Sequence, residues 1–94
     1  MKTIVTVVGK DQIGIISKVS RLLAEEKINI LDIDQSILEG YFNMFMIVDM
    51  SRSVKDFKEI VRLFDELAEQ IGVSINLQRA DLFEEMYRIS GGRQ

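Results

Sequence analysis

With 94 residues, 47% of them hydrophobic and 29% charged, the chain has the length of one small domain and enough apolar material for a core. It contains neither Cys nor His, so disulfides, Cys/His metal sites, thiol nucleophiles and histidine acid–base catalysis are excluded together. A net charge of −3 without a basic face argues against a nucleic-acid partner, and no stretch approaches the ~18 apolar residues of a membrane span.

Residues 2–8, KTIVTVV, are β-branched and followed by Gly9, as expected of a buried strand. Ile15, Ile16, Val19, Leu22 and Leu23 then recur at helical spacing with charged residues between them, which predicts a one-faced helix. Residues 28–38, INILDIDQSIL, return to a strand. Ile33, Gln35 and Ile37 alternate with Asp34, Ser36 and Leu38, whereas Ile30 is out of step, so a bulge is expected near Leu31. Glu39-Gly40 reads as a two-residue hairpin turn leading into a strand over 41–50. That strand sets Phe42, Met44, Met46 and Val48 on one side and Tyr41, Phe45 and Ile47 on the other.

Ser53, with Asp56 three residues on, matches a capping box, and Val54, Phe57, Val61, Phe64, Ala68 and Ile71 predict the buried face of a second helix ended by Gly72. A strand over 73–79 follows. In the tail, Leu82, Phe83 and Met86 share a helical face. The order β-α-β, hairpin, β-α-β predicts an α+β, ferredoxin-like sandwich: a four-stranded antiparallel sheet with both helices on one face. Residues 1–79 form the domain in this reading, and 80–94 form a C-terminal helical tail. The face without helices carries Tyr41, Phe45 and Ile47, which need cover from that tail, from a second subunit, or from a tail crossing onto its partner.

The segment TVVGKDQIGI (6–15) is the candidate site. Gly9 and Gly14 have the spacing of a nucleotide-binding loop, but Ile15 and Ile16 stand where Lys and Ser or Thr are needed. An acylphosphatase reading gains Asn29 to position water, yet its loop lacks Arg and offers only Lys10 beside Asp11. An RNA-recognition reading of EGYFNMF is opposed by Glu39 and by the acidic balance. Two uses remain open. The amides from Gly14 to Ser17 suit a carboxylate, with Asp11 for an ammonium, or Asp11 simply caps the helix.

Three ordered segments, TVVGKDQIGI (6–15), NILDIDQ (29–35) and GYFNM (40–44), resemble ACT domains, and most closely the stand-alone, single-domain bacterial members, similar to glycine-cleavage repressors. The resemblance covers about residues 2–79. It implies a regulatory module that pairs with a second copy and binds an amino acid or similar effector between copies. It also implies a pocket with Asp11, Gln12, Ile13, Gly14 and Ile15 as one wall and Asn29 and Ile30 of the neighbouring subunit as the other.

The expectation is therefore a non-enzymatic, cytoplasmic homodimer sensing a small molecule, with no catalytic residue, metal or cofactor and no nucleic-acid or membrane partner. A protein target acted on in trans fits a module without an attached output domain. Tyr41, Phe45, Ile47, Leu82, Phe83 and Met86 are the expected interface. The alternative is a ligand-free adaptor that uses the exposed sheet face, and an acylphosphatase-like hydrolase stands third.

Overall fold

A β-branched run, a one-faced helical run and a period-two run follow one another twice along the chain, and a computed structural model places them in a single sheet with two helices. The structure describes residues 2–10 and 13–80. The elements are β1 (Lys2–Lys10), α1 (Gly14–Glu25), β2 (Asn29–Leu38), β3 (Tyr41–Asp49), α2 (Phe57–Ile71) and β4 (Ser74–Arg79). The strands lie in the order β2-β3-β1-β4, with every neighbouring pair antiparallel. This is the expected ferredoxin-like sandwich. The predicted tail, with Leu82, Phe83 and Met86, lies outside the described residues.

Alternation decides which side chains enter the core. Val5 and Val7 of β1, Phe42, Met44, Met46 and Val48 of β3, and Ile75 of β4 face the helices. Against them pack Ile15, Val19 and Leu23 of α1 and Ile60 and Phe64 of α2, all buried. Ile16 departs from expectation: it lies at the rim of the α1 face and is 40% exposed. The one buried polar side chain among the described residues, Thr3, donates its hydroxyl to Met50 Sδ at 3.0 Å, so its desolvation is offset.

Local signals are obeyed at the turns. Glu39 and Gly40 both have positive φ, 55° and 80°, as a two-residue hairpin matched to strand twist requires. The bulge falls where the pattern slips, between Ile30 and Asp32, leaving Leu31 without an opposite residue in β3. Gly72 ends α2 in the left-handed region, and Val73 N–H returns to the Ala68 carbonyl at 3.0 Å.

The predicted start of the second helix needs correction. The capping box is one turn further on: Glu59 N–H donates to Asp56 Oδ1 at 2.9 Å, and Asp56 N–H donates to Glu59 Oε1 at 3.3 Å. Ser53 instead closes a local turn by accepting Lys55 N–H at 3.2 Å. Val54, placed before the helix, is 90% exposed, and Ile60 takes the core position that the shifted start had obscured.

β2 stands apart. It forms one edge of the sheet, and all ten of its residues are exposed. Among the described residues it pairs only with β3, and no other strand lies along its second edge.

Candidate functional site

The end of β1 leads to the first turn of α1, whose N-cap position is Ile13. Ile13 has helical backbone angles, φ −63° and ψ −34°, and among the described residues no side chain caps the helix. It offers no oxygen to the first-turn amides, and its side chain is fully exposed. Asp11 and Gln12 lie outside the described residues. Ile15 was predicted as a pocket residue, but its side chain is 1% exposed and belongs to the core, so it brings only its backbone amide to this end.

The two glycines of the segment have different reasons to be glycine. A Cβ on Gly9 would lie 2.5 Å from Val73 Cγ1 and 3.0 Å from Val73 Cβ, so β1 and the segment entering β4 close up only because that atom is missing. A Cβ on Gly14 would meet nothing nearer than Lys18 Cε at 3.6 Å, an ordinary contact with a flexible chain. Within this chain, packing does not demand the absence of a side chain at Gly14.

Asn29 and Ile30 are at the other end of the sheet. Asn29 pairs with Asp49, which pairs with Lys2, whereas the loop follows Lys10, which pairs with Tyr41. Nine residues of strand separate the two ends, on the order of 30 Å. A single copy therefore cannot hold one small molecule between Gly14 and Asn29. The same separation removes the acylphosphatase arrangement, which needs Asn29 beside the loop. The cation available to that chemistry, Lys10, has its Nζ 5.4 Å from the centre of the Tyr41 ring.

Around Asn29 lies a concavity of about 1010 Å³, with Lys27, Asp49, Ser51 and Arg52 on its walls. Lys27 has φ 58° immediately after α1, and the carbonyls there are taken up by the backbone: Glu26 N–H to Leu22, Ile28 N–H to Leu23 and Lys27 N–H to Ala24. Ser51 N–H donates to Asp49 Oδ1 at 3.1 Å, and this bond leads the interactions that hold the Asp49 carboxyl below the usual range. None of Lys27, Ser51 and Arg52 belongs to a sequence motif. They gather at Asn29 because the antiparallel β2–β3 pair brings the turn after β3 beside the turn before β2.

On the sheet face away from the helices, Tyr41 and Phe45 are 46% and 42% exposed, and Ile47 is half-buried. Among the described residues no helix is long and apolar enough to cross a membrane.

The ACT-domain family model matches residues 2–78, the sandwich but for its last strand residue. The chain belongs to the ACT-domain family. It is 49% identical to a UPF0237 protein of Clostridium acetobutylicum over 89 residues, covering 95% of this chain and all of that protein. A UPF0237 protein of Bifidobacterium longum is 48% identical over 88 residues, with 94% of this chain and 98% of that protein covered. Among solved structures, an ACT domain protein from Streptococcus pneumoniae superposes with a TM-score of 0.80 at 43% identity, over 89% of this chain and 94% of that one. These relatives have nearly the length of this chain, so the match is to a stand-alone small ACT domain. ACT domains are regulatory, small-molecule-binding modules.

Proposed function

We propose that this ACT domain is a non-enzymatic sensor, working as a homodimer that holds an amino-acid-like effector between the Gly14 end of one copy and the Asn29 end of the other. The observation that carries this reading is the open edge of β2. Two copies pairing their β2 edges antiparallel about a two-fold axis bring the Asn29 end of each strand toward the partner's loop end. A site divided between opposite ends of one protomer thereby becomes a single site, present twice.

The residue pattern of β2 favours a register for this pairing. Residues opposite one another across an antiparallel pair share a face of the sheet, so each register centres on one residue. Centring on Ile33 sets Asp32 against the partner's Asp34, and centring on Asp34 sets that carboxylate against its own copy. Both are repulsive. Centring on Gln35 sets Ile33 against the partner's Ile37 in both directions and Asp34 against the partner's Ser36, with no like charges opposed. It also places Ile33 and Ile37, exposed at 43% and 62%, beside apolar neighbours.

At the helix start, where Ile13 offers no side-chain cap, the first-turn amides would receive a carboxylate, and a Cβ-free Gly14 would let it approach. The exposed Tyr41 and Phe45 offer a separate surface for a protein target acted on in trans.

The test combines sizing with cross-linking. The chain has no cysteine, so Gln35→Cys introduces a single thiol. In the proposed register the two Cα atoms lie about 4.5–5.5 Å apart, within disulfide range. Wild type should elute as a dimer, and oxidised Gln35→Cys should run as a covalent dimer that still gains melting temperature with an amino acid from a screen of the twenty. A monomer at micromolar concentration, or a dimer that no amino acid stabilises, overturns the reading.

A further inference from the structure

We infer that the effector carries a second anionic group, an acidic or phosphorylated side chain, and that Lys27 and Arg52 recognise it. The inference rests on the dimeric site proposed above and names the class of molecule that fits it.

The chain as a whole is acidic, with 15 Asp and Glu against 12 Lys and Arg. The Asn29 concavity reverses that balance. Its walls carry two cations, Lys27 and Arg52, and one carboxylate, Asp49, together with the neutral polar groups of Asn29 and Ser51. Neither cation has an ion-pair partner among the described residues. The acids nearest in sequence to Lys27 are directed elsewhere. Glu26 pairs with Lys55 at 2.9 Å and is largely buried there, and Glu25 lines the groove between α1 and α2 with Lys18 and Arg21. The negative end of α1 points toward this region, but the carbonyls of Leu22, Leu23 and Ala24 already accept backbone N–H groups, which reduces that field.

A zwitterion with an uncharged side chain uses one anionic and one cationic group. In the dimeric site proposed above the first-turn amides at Gly14 receive its carboxylate, which leaves Lys27 and Arg52 on the opposing wall without a counterpart. A ligand with one more anion satisfies them, while Asn29 and Ser51 supply further hydrogen bonds. Because both cations are exposed, the affinity of such a ligand should weaken with added salt.

Titration calorimetry of the wild-type dimer at low ionic strength tests the assignment with matched pairs: L-aspartate against L-asparagine, L-glutamate against L-glutamine, and O-phospho-L-serine against L-serine. At least one acidic member should bind tenfold or more tightly than its neutral partner; the phosphoserine pair tells a phosphate from a carboxylate preference. The double variant Lys27→Asn/Arg52→Gln, in which Asn tolerates the positive φ at 27, should abolish the preference while leaving dimer elution and affinity for the neutral members unchanged. Neutral members binding as tightly as acidic ones, or a preference that survives in the double variant, overturns the inference while leaving the dimeric sensor standing. A protein that is dimeric yet binds neither set removes the sensor and this inference together.

Discussion

Gly9 and Gly14 sit five residues apart in one motif, and replacing each with Ala should produce opposite results. For Gly9→Ala, the new methyl falls 2.5 Å from Val73 Cγ1 and 3.0 Å from Val73 Cβ. Val73 is β-branched, and its amide is tied to the Ala68 carbonyl at 3.0 Å, so it has little freedom to yield. Overpacking of this kind costs about 1–3 kcal/mol. At roughly 4–8 °C per kcal/mol for a domain of this size, the melting temperature should fall by about 8–16 °C for a mid-range cost of ~2 kcal/mol. For Gly14→Ala, the methyl meets only Lys18 Cε at 3.6 Å, and the residue opens a helix, where Ala is favoured over Gly by up to about 1 kcal/mol. Halving that figure for a first-turn position gives a rise of roughly 2–4 °C. In the proposed site the same methyl would narrow the approach to the first-turn amides, so the stabilised variant should lose about tenfold or more in amino-acid affinity, a change of ~1.4 kcal/mol. Differential scanning fluorimetry and calorimetry read both quantities. A Gly14→Ala protein that melts below wild type, or that binds as wild type does, refutes the claim that this glycine is kept clear for a ligand.

Lys at positions 33 and 37 of β2 should give a folded monomer by light scattering, because both side chains are already solvent-exposed in one copy and only the pairing would bury them. A dimer that persists would place the contact elsewhere. Asp56→Ala should cost about 1 kcal/mol by removing the bond that caps α2, whereas Ser53→Ala should cost less than about 0.5 kcal/mol, the reverse of what the predicted capping box implies. Acid stability depends in part on Asp49. Its carboxyl is held below the ordinary range mainly by the Ser51 backbone N–H, so its contribution is present above the ordinary aspartate pKa of about 3.9 and is lost as pH falls through the lower folded value. Asp49→Asn should flatten the acid limb of a melting-temperature profile, and an unchanged limb would show that other carboxylates set it.

The proposed site is divided between two copies: the Gly14 end would contribute backbone donors, and the Asn29 end cations and polar groups. In the proposed dimer, occupancy and pairing are coupled, since a ligand touching both copies stabilises the assembly by mass action. Under the proposed function, such coupling converts effector concentration into a change of surface, and the exposed Tyr41 and Phe45 would be the face where a target reads it.

Element order, the positive-φ turn at Glu39-Gly40, the slip near Leu31 and the stop at Gly72 were legible in the residues themselves, because each depends on neighbours a few positions away. The start of α2 was misread by one turn because Ser53 and Asp56 are both competent caps, and only the burial of Ile60 and the exposure of Val54 select between them. Lys27, Ser51 and Arg52 could not be found from the sequence, since they become neighbours only through the pairing of Asn29 with Asp49. Periodicity shows which face of a strand is apolar but not which strand lies beside it. That β2 would be left at an open edge, with Gly14 and Asn29 at opposite ends of the sheet, was decided when β1 took the place between β3 and β4, a matter of long-range hydrogen bonding that no local pattern encodes.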